Sequence, residues 1–128
     1  MNAFTIVKEI FEASPEAKSL VYDSSLQKEV PVSISHKATT AYQAIMLNGK
    51  VSWWALRLGL EGKKKWLGLN IDEATFNLLP EGIIKLEPSP YAEYRIKLES
   101  TDDLPKLKGL ILPAFRKTIQ DRKPQTKN

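Results

Sequence analysis

Residues 51–70, VSWWALRLGLEGKKKWLGLN, constrain what this chain can fold into more than any other stretch. Two apolar runs, each bearing tryptophan, flank a Glu61-Gly62 turn followed by three consecutive lysines. Such runs about a glycine turn read as a β-hairpin, here with a cationic tip and an aromatic base. Strict alternation puts Trp53, Ala55, Arg57 and Gly59 on one face of the first strand, and Trp54, Leu56, Leu58 and Leu60 on the other. The second set is uniformly apolar and is expected in the core. The first set mixes Arg57 with small residues and is expected to be open, with Trp53 partly exposed and Trp54 buried.

The flanking sequence supplies helices and further strands. Ala3, Phe4, Val7, Ile10 and Phe11 recur at helical spacing, predicting a helix over residues 3–12. Pro15 suits the first turn of a second helix reaching Tyr22 or Leu26. Val30, Val32 and Ile34 alternate, but Pro31 restricts that segment to an edge strand or extended arm. Residues 42–47 form a strand if Asn48-Gly49 is a hairpin turn, or the end of a helix if Gly49 is its cap; the strand is favoured. Asp72 can cap a short helical segment over 71–79, followed by a turn at Pro80-Glu81-Gly82 and a short strand at 83–86. Beyond the Pro88-Ser89-Pro90 loop, residues 91–98 alternate, with Tyr94, Ile96 and Leu98 inward and Arg95, Lys97 and Glu99 on the wet face. Ser100-Thr101-Asp102-Asp103 opens a C-terminal helix with a broad apolar stripe from Leu104 to Ile119. Pro113 predicts a kink or break near residues 109–112. The expected architecture is α+β. An antiparallel sheet of four to five strands is packed by N-terminal helices and a C-terminal helix, in one domain over residues 1–121 with a disordered basic tail at 122–128.

From residue 51 onward the order of features resembles the YjbR-like double-wing superfamily of small bacterial domains. The residues that carry the resemblance are the Trp-containing hairpin, the Leu79-Pro80-Glu81-Gly82 turn, the strand Tyr94-Arg95-Ile96-Lys97-Leu98, and the segment from Asp102 to Phe115. They cover about half of the chain. The resemblance implies an α+β fold with wing-like hairpins and a DNA-binding role.

The charge is patterned in blocks. Residues 30–70 carry six Lys/Arg against one acid, and residues 101–128 carry seven against three. Residues 1–29 and 71–100 are net acidic. Basic blocks attract phosphates or acidic proteins, and they also serve simply as solvated surface. There is no cysteine, so disulfides, thiolate catalysis and Cys-type zinc sites are excluded. No apolar run is long enough to span a membrane, and the first residues do not read as a secretory signal, so a cytoplasmic protein is expected. Catalysis has little support. His36 is the lone histidine, and Ser35 beside it points to the opposite strand face. Asp102 and Asp103 suit a helix N-terminus, and no phosphate-loop, dinucleotide or metalloprotease pattern occurs. No cofactor or metal is expected.

The candidate binding residues are Trp53, Arg57, Lys63, Lys64, Lys65 and Lys50, with Lys37 nearby. Lysines at a hairpin tip reach phosphates, and an aromatic beside them stacks on a base. The first expectation is a non-enzymatic nucleic-acid-binding or regulatory module. The alternative is a protein- or small-ligand-binding domain whose cleft beside the hairpin is lined by Trp53, Tyr42, Tyr91 and Arg57. A protein partner or a homodimer belongs to the same alternative.

Overall fold

Asn2 caps the first helix, its side chain accepting from the Thr5 amide at 2.8 Å, and α1 then runs Ala3–Glu12. The structure, a computed structural model, describes residues 2–122; the tail expected over 122–128 lies, beyond Arg122, outside the described residues. The second helix expected from Pro15 stops after one 3-10 turn, Pro15–Lys18. The chain becomes extended because Asp23 takes the next turn. Its carboxylate accepts from the Ser25 and Leu26 amides at 2.9 and 3.2 Å, and local bonds of this kind favour a turn over a helix. Strands β1 (Leu20–Asp23) and β2 (Lys28–Pro31) therefore pair as a separate antiparallel ribbon.

The main sheet contains β3 (Ile34–Ala38), β4 (Gln43–Leu47), β5 (Trp54–Gly59), β6 (Lys65–Leu69), β7 (Lys85–Leu86) and β8 (Tyr94–Leu98). Its order is β3-β4-β5-β6-β8-β7, with every neighbouring pair antiparallel. The fold is thus α+β, with six strands in the main sheet rather than four or five. Asn48 and Gly49 take φ of 54° and 69°, the left-handed pair a tight turn needs, so residues 43–47 form a strand and not a helix.

Strict alternation fails in β5. Ile45 pairs with Leu56, but Met46 pairs with Trp54, so Ala55 is an extra residue in a β-bulge. Ala55 stays inward, fully buried beside Leu56, while Trp54 turns to the face of Arg57. Trp53 precedes the strand, in the 3-10 turn Val51–Trp53, and goes into the core at 8% exposure. The expected roles of Trp53 and Trp54 are therefore exchanged.

One sheet face is covered by helices. Helix α2 is short (Glu73–Asn77), with Asp72 accepting from the Thr75 amide at 2.7 Å. Ser100 and Asp103 form a capping box that opens a 3-10 segment, Thr101–Leu107, and α3 (Lys108–Asp121) follows. The irregularity expected near Pro113 lies earlier, where the 3-10 segment becomes α-helix. Pro113 sits early in α3, with Gly109 four residues back, so its ring removes one bond near the helix start and α3 continues. Phe115, Ile111 and Ile119 of α3 pack with Leu56, Leu58, Leu67 and Ile96. Phe11 of α1 meets Phe115 at 4.8 Å. Leu107, within the expected apolar stripe, is only half-buried, at the rim. The Asn70 amide donates to the Trp54 carbonyl at 3.3 Å and to the Thr118 hydroxyl at 3.0 Å, tying α3 to the bulge. Arg116 binds Glu16 at 2.8 Å. Burial opposes ionisation of Glu16, but its own backbone N–H, Arg116 and Ser14 outweigh it and hold the carboxyl below its usual range.

Candidate functional site

Cross-strand partners share a face, so the register fixes what the helix-free face presents. One row crosses all six strands as Lys37, Ala44, Arg57, Gly68, Arg95 and Leu86. The next row sets Gly59, Trp66 and Lys97 side by side. Small residues alternate with long planar or cationic ones, which leaves the large groups room to lie across their neighbours.

They do so in one unbroken line. The Arg95 guanidinium lies 5.2 Å from the Trp66 ring. The Trp66 and Tyr91 rings are 6.3 Å apart with planes within 9°. Tyr91 is 5.2 Å from Tyr42. The Arg57 guanidinium sits 4.8 Å from Tyr42 and 4.3 Å from Trp54. The glycines make this possible. A Cβ on Gly59 would overlap the Trp66 indole, and one on Gly68 would lie 2.6 Å from the Ala92 Cβ.

Residues 87–93 cross this face as a strap. Arg57 Nη1 donates to the Tyr91 carbonyl at 2.7 Å, and Arg95 Nε and Nη2 donate to the Glu87 carbonyl at 2.9 and 2.7 Å. Both guanidinium groups are thus held by neutral acceptors, and among the described residues neither joins an ion pair.

The hairpin tip adds a groove. It encloses about 600 Å³ and is lined by Lys63, Lys64, Lys65, Trp66, Arg95 and Lys97, with Glu87 and Glu99 as its acids. Five cations therefore face two carboxylates, and of these only Lys97 and Glu99 pair, at 3.2 Å. Trp66 belongs both to the groove and to the line of rings.

Of the expected site residues, Arg57 lies on the open face, where Lys37 shares its row, and Lys63, Lys64 and Lys65 line the groove at the hairpin end, Lys65 from the side of its inward partner Leu98. Tyr42, Tyr91 and Arg57 come together as the ligand-cleft reading requires, with Trp54 in place of Trp53. Trp53 and Lys50 do not join them. They precede β5, at the end away from the hairpin tip, and Trp53 turns into the core instead of onto the open face. There Trp53 sits between Lys50 and Arg122 at 5.2 and 5.4 Å, and Lys50 pairs with Asp23 at 3.7 Å. That cluster locks the small ribbon to the end of α3. Trp54, Trp66, Arg95 and Lys97 were missed as site residues. Alternation already placed Arg95 and Lys97 on a wet face; what it lacked was that β8 lies beside β6. His36 stacks on Phe4 at 4.1 Å, away from the line of rings. Among the described residues, no group of three or more His, Cys, Asp or Glu side chains is placed to hold a metal ion, and no helix is long and apolar enough to cross a membrane. Comparison with family models, curated proteins and solved structures gives no match, so the reading of this face rests on its geometry.

Proposed function

We propose that this protein is a binding module for single-stranded nucleic acid, which it takes on the helix-free face of its six-stranded sheet. The observation that carries the reading is the double membership of Trp66, in a five-cation groove and in a line of planar side chains. Cations that track phosphates beside an aromatic platform are what an unpaired strand requires, because its bases are free to stack. A duplex hides its bases and uses only the cations. The DNA-binding role implied by the double-wing resemblance points the same way.

The test is anisotropy of a labelled twelve-nucleotide strand and of its duplex, across a salt series. The single strand is expected to bind more tightly. Changing Lys63, Lys64 and Lys65 to Ala should reduce the slope of log K against log salt by about 2, since each single-strand phosphate contact contributes roughly 0.7. Binding that ignores salt, or no binding, overturns the proposal. Salt-independent binding of a small planar compound would favour the second reading, a ligand cleft, which rests on the grouping of Tyr42, Tyr91 and Arg57.

A further inference from the structure

Tyr91 is a poor anchor for the strap that carries it. The residue is 40% exposed, and among the described residues its hydroxyl makes no hydrogen bond. The ring is held by lying parallel to Trp66 and by a tilted contact with Tyr42. The strap beyond β7 is not part of the sheet ladder. Its main-chain bonds run between Ser89 and Ala92, at 3.0 and 3.2 Å, and Pro88 and Pro90 have no N–H to offer. What joins the strap to the sheet is the pair of arginine side chains and the seat of Ala92 on Gly68.

The arginines are also underused. Arg57 Nη1 is spent on a neutral carbonyl, and Arg57 Nε is shut from water with no partner. A guanidinium bonds more strongly to a phosphate oxygen or a negatively polarised base edge than to a carbonyl. Both arginines hold main-chain carbonyls, so these bonds persist when the Tyr91 side chain turns away, and the guanidinium N–H groups not engaged there remain for a phosphate oxygen.

We propose that the Tyr91 ring occupies the place of a nucleobase against Trp66, so that the strap fills the site until a single strand displaces the ring. This rests on the nucleic-acid reading above and adds the regulation of that site. A rotation of the Tyr91 side chain uncovers Trp66, and the buried Ala92 keeps the strap backbone in place.

The test compares Tyr91→Ala and Tyr91→Trp with the unchanged protein, using anisotropy of the same labelled strand at low salt, with circular dichroism to check folding. Tyr91→Ala should bind about five-fold more tightly, the worth of one aromatic pair. Tyr91→Trp, with a larger ring to displace, should bind more weakly. Equal or weaker binding by Tyr91→Ala overturns the proposal and makes Tyr91 part of the platform, while the nucleic-acid reading stands. Absence of salt-dependent binding in all three proteins overturns both.

Discussion

On its helix-covered face the six-stranded sheet carries Ile45, Leu56, Leu58, Leu67 and Ile96, none more than 1% exposed. On its other face the same strands carry Ala44, Arg57, Gly59, Trp66, Gly68 and Arg95, and no helix packs on them. The first face is branched and aliphatic, so it needs a second layer to interdigitate with. The second is planar and laid flat, so its own side chains and one strap cover it. Met46, Ala44 and Ala92 are buried there without belonging to the main core. Folding is therefore vested mainly in one face, which leaves the other free to change its contacts.

The comparison breaks first at Phe115. Phe115→Ala should cost about 4 kcal/mol in a urea melt, because a fully buried ring leaves a cavity between α3 and the sheet. Trp66→Ala should cost about 1–2 kcal/mol, since that ring is only partly buried and lies against Tyr91 and Arg95 of the open face, outside the main core. Equal losses would mean that the open face is a second core. Next comes the tryptophan pair at the bulge. Trp53→Ala should cost about 3 kcal/mol, and Trp54→Ala about 1 kcal/mol. The reverse order would restore strict alternation in β5.

Gly59→Ala sharpens the distinction without touching the core. The added methyl displaces the Trp66 indole, so strand binding should fall about ten-fold (about 1.4 kcal/mol) while the melt shifts by less than about 1 kcal/mol. Loss of stability with binding intact would place Trp66 in a purely structural role. The smallest effect concerns Glu16, remote from the open face. Its carboxyl titrates below the ordinary range when folded, so its contribution is present above the unfolded-state pKa and is lost as pH falls through the lower folded value. Glu16→Gln should therefore lower stability at neutral pH and flatten the acid limb of the stability profile, leaving strand binding at neutral pH unchanged. An acid limb identical in both proteins would show that the bond to Arg116 adds nothing.

The hairpin, the helices over 3–12 and from 100 onward, the Asn48-Gly49 turn and the inward set Tyr94, Ile96 and Leu98 were legible because each depends on local spacing or a local turn. The bulge was not. Nothing in Trp53-Trp54-Ala55 says that two residues will oppose one, since that is decided by where α3 and Asn70 meet the strand. The aborted second helix hid for a similar reason: Asp23 acts on the turn after it. In the site, the lysine tip and the trio Tyr42, Tyr91 and Arg57 were readable as residue types with reach or stacking surface. The part played by Trp66 depended on the neighbours of β6, and strand order is a long-range property that periodicity does not carry.

The bulge also gives residue 54 two allegiances. Its carbonyl faces Asn70, which in turn holds Thr118 on α3, while its ring lies against Arg57 on the far side of the sheet. A single backbone unit thus runs through the layer like a rivet. Whatever immobilises the ring from the front also steadies the carbonyl at the back. Slower hydrogen–deuterium exchange in the last turns of α3 then becomes a signal of occupancy on the opposite surface, legible on a helix that the occupant never touches.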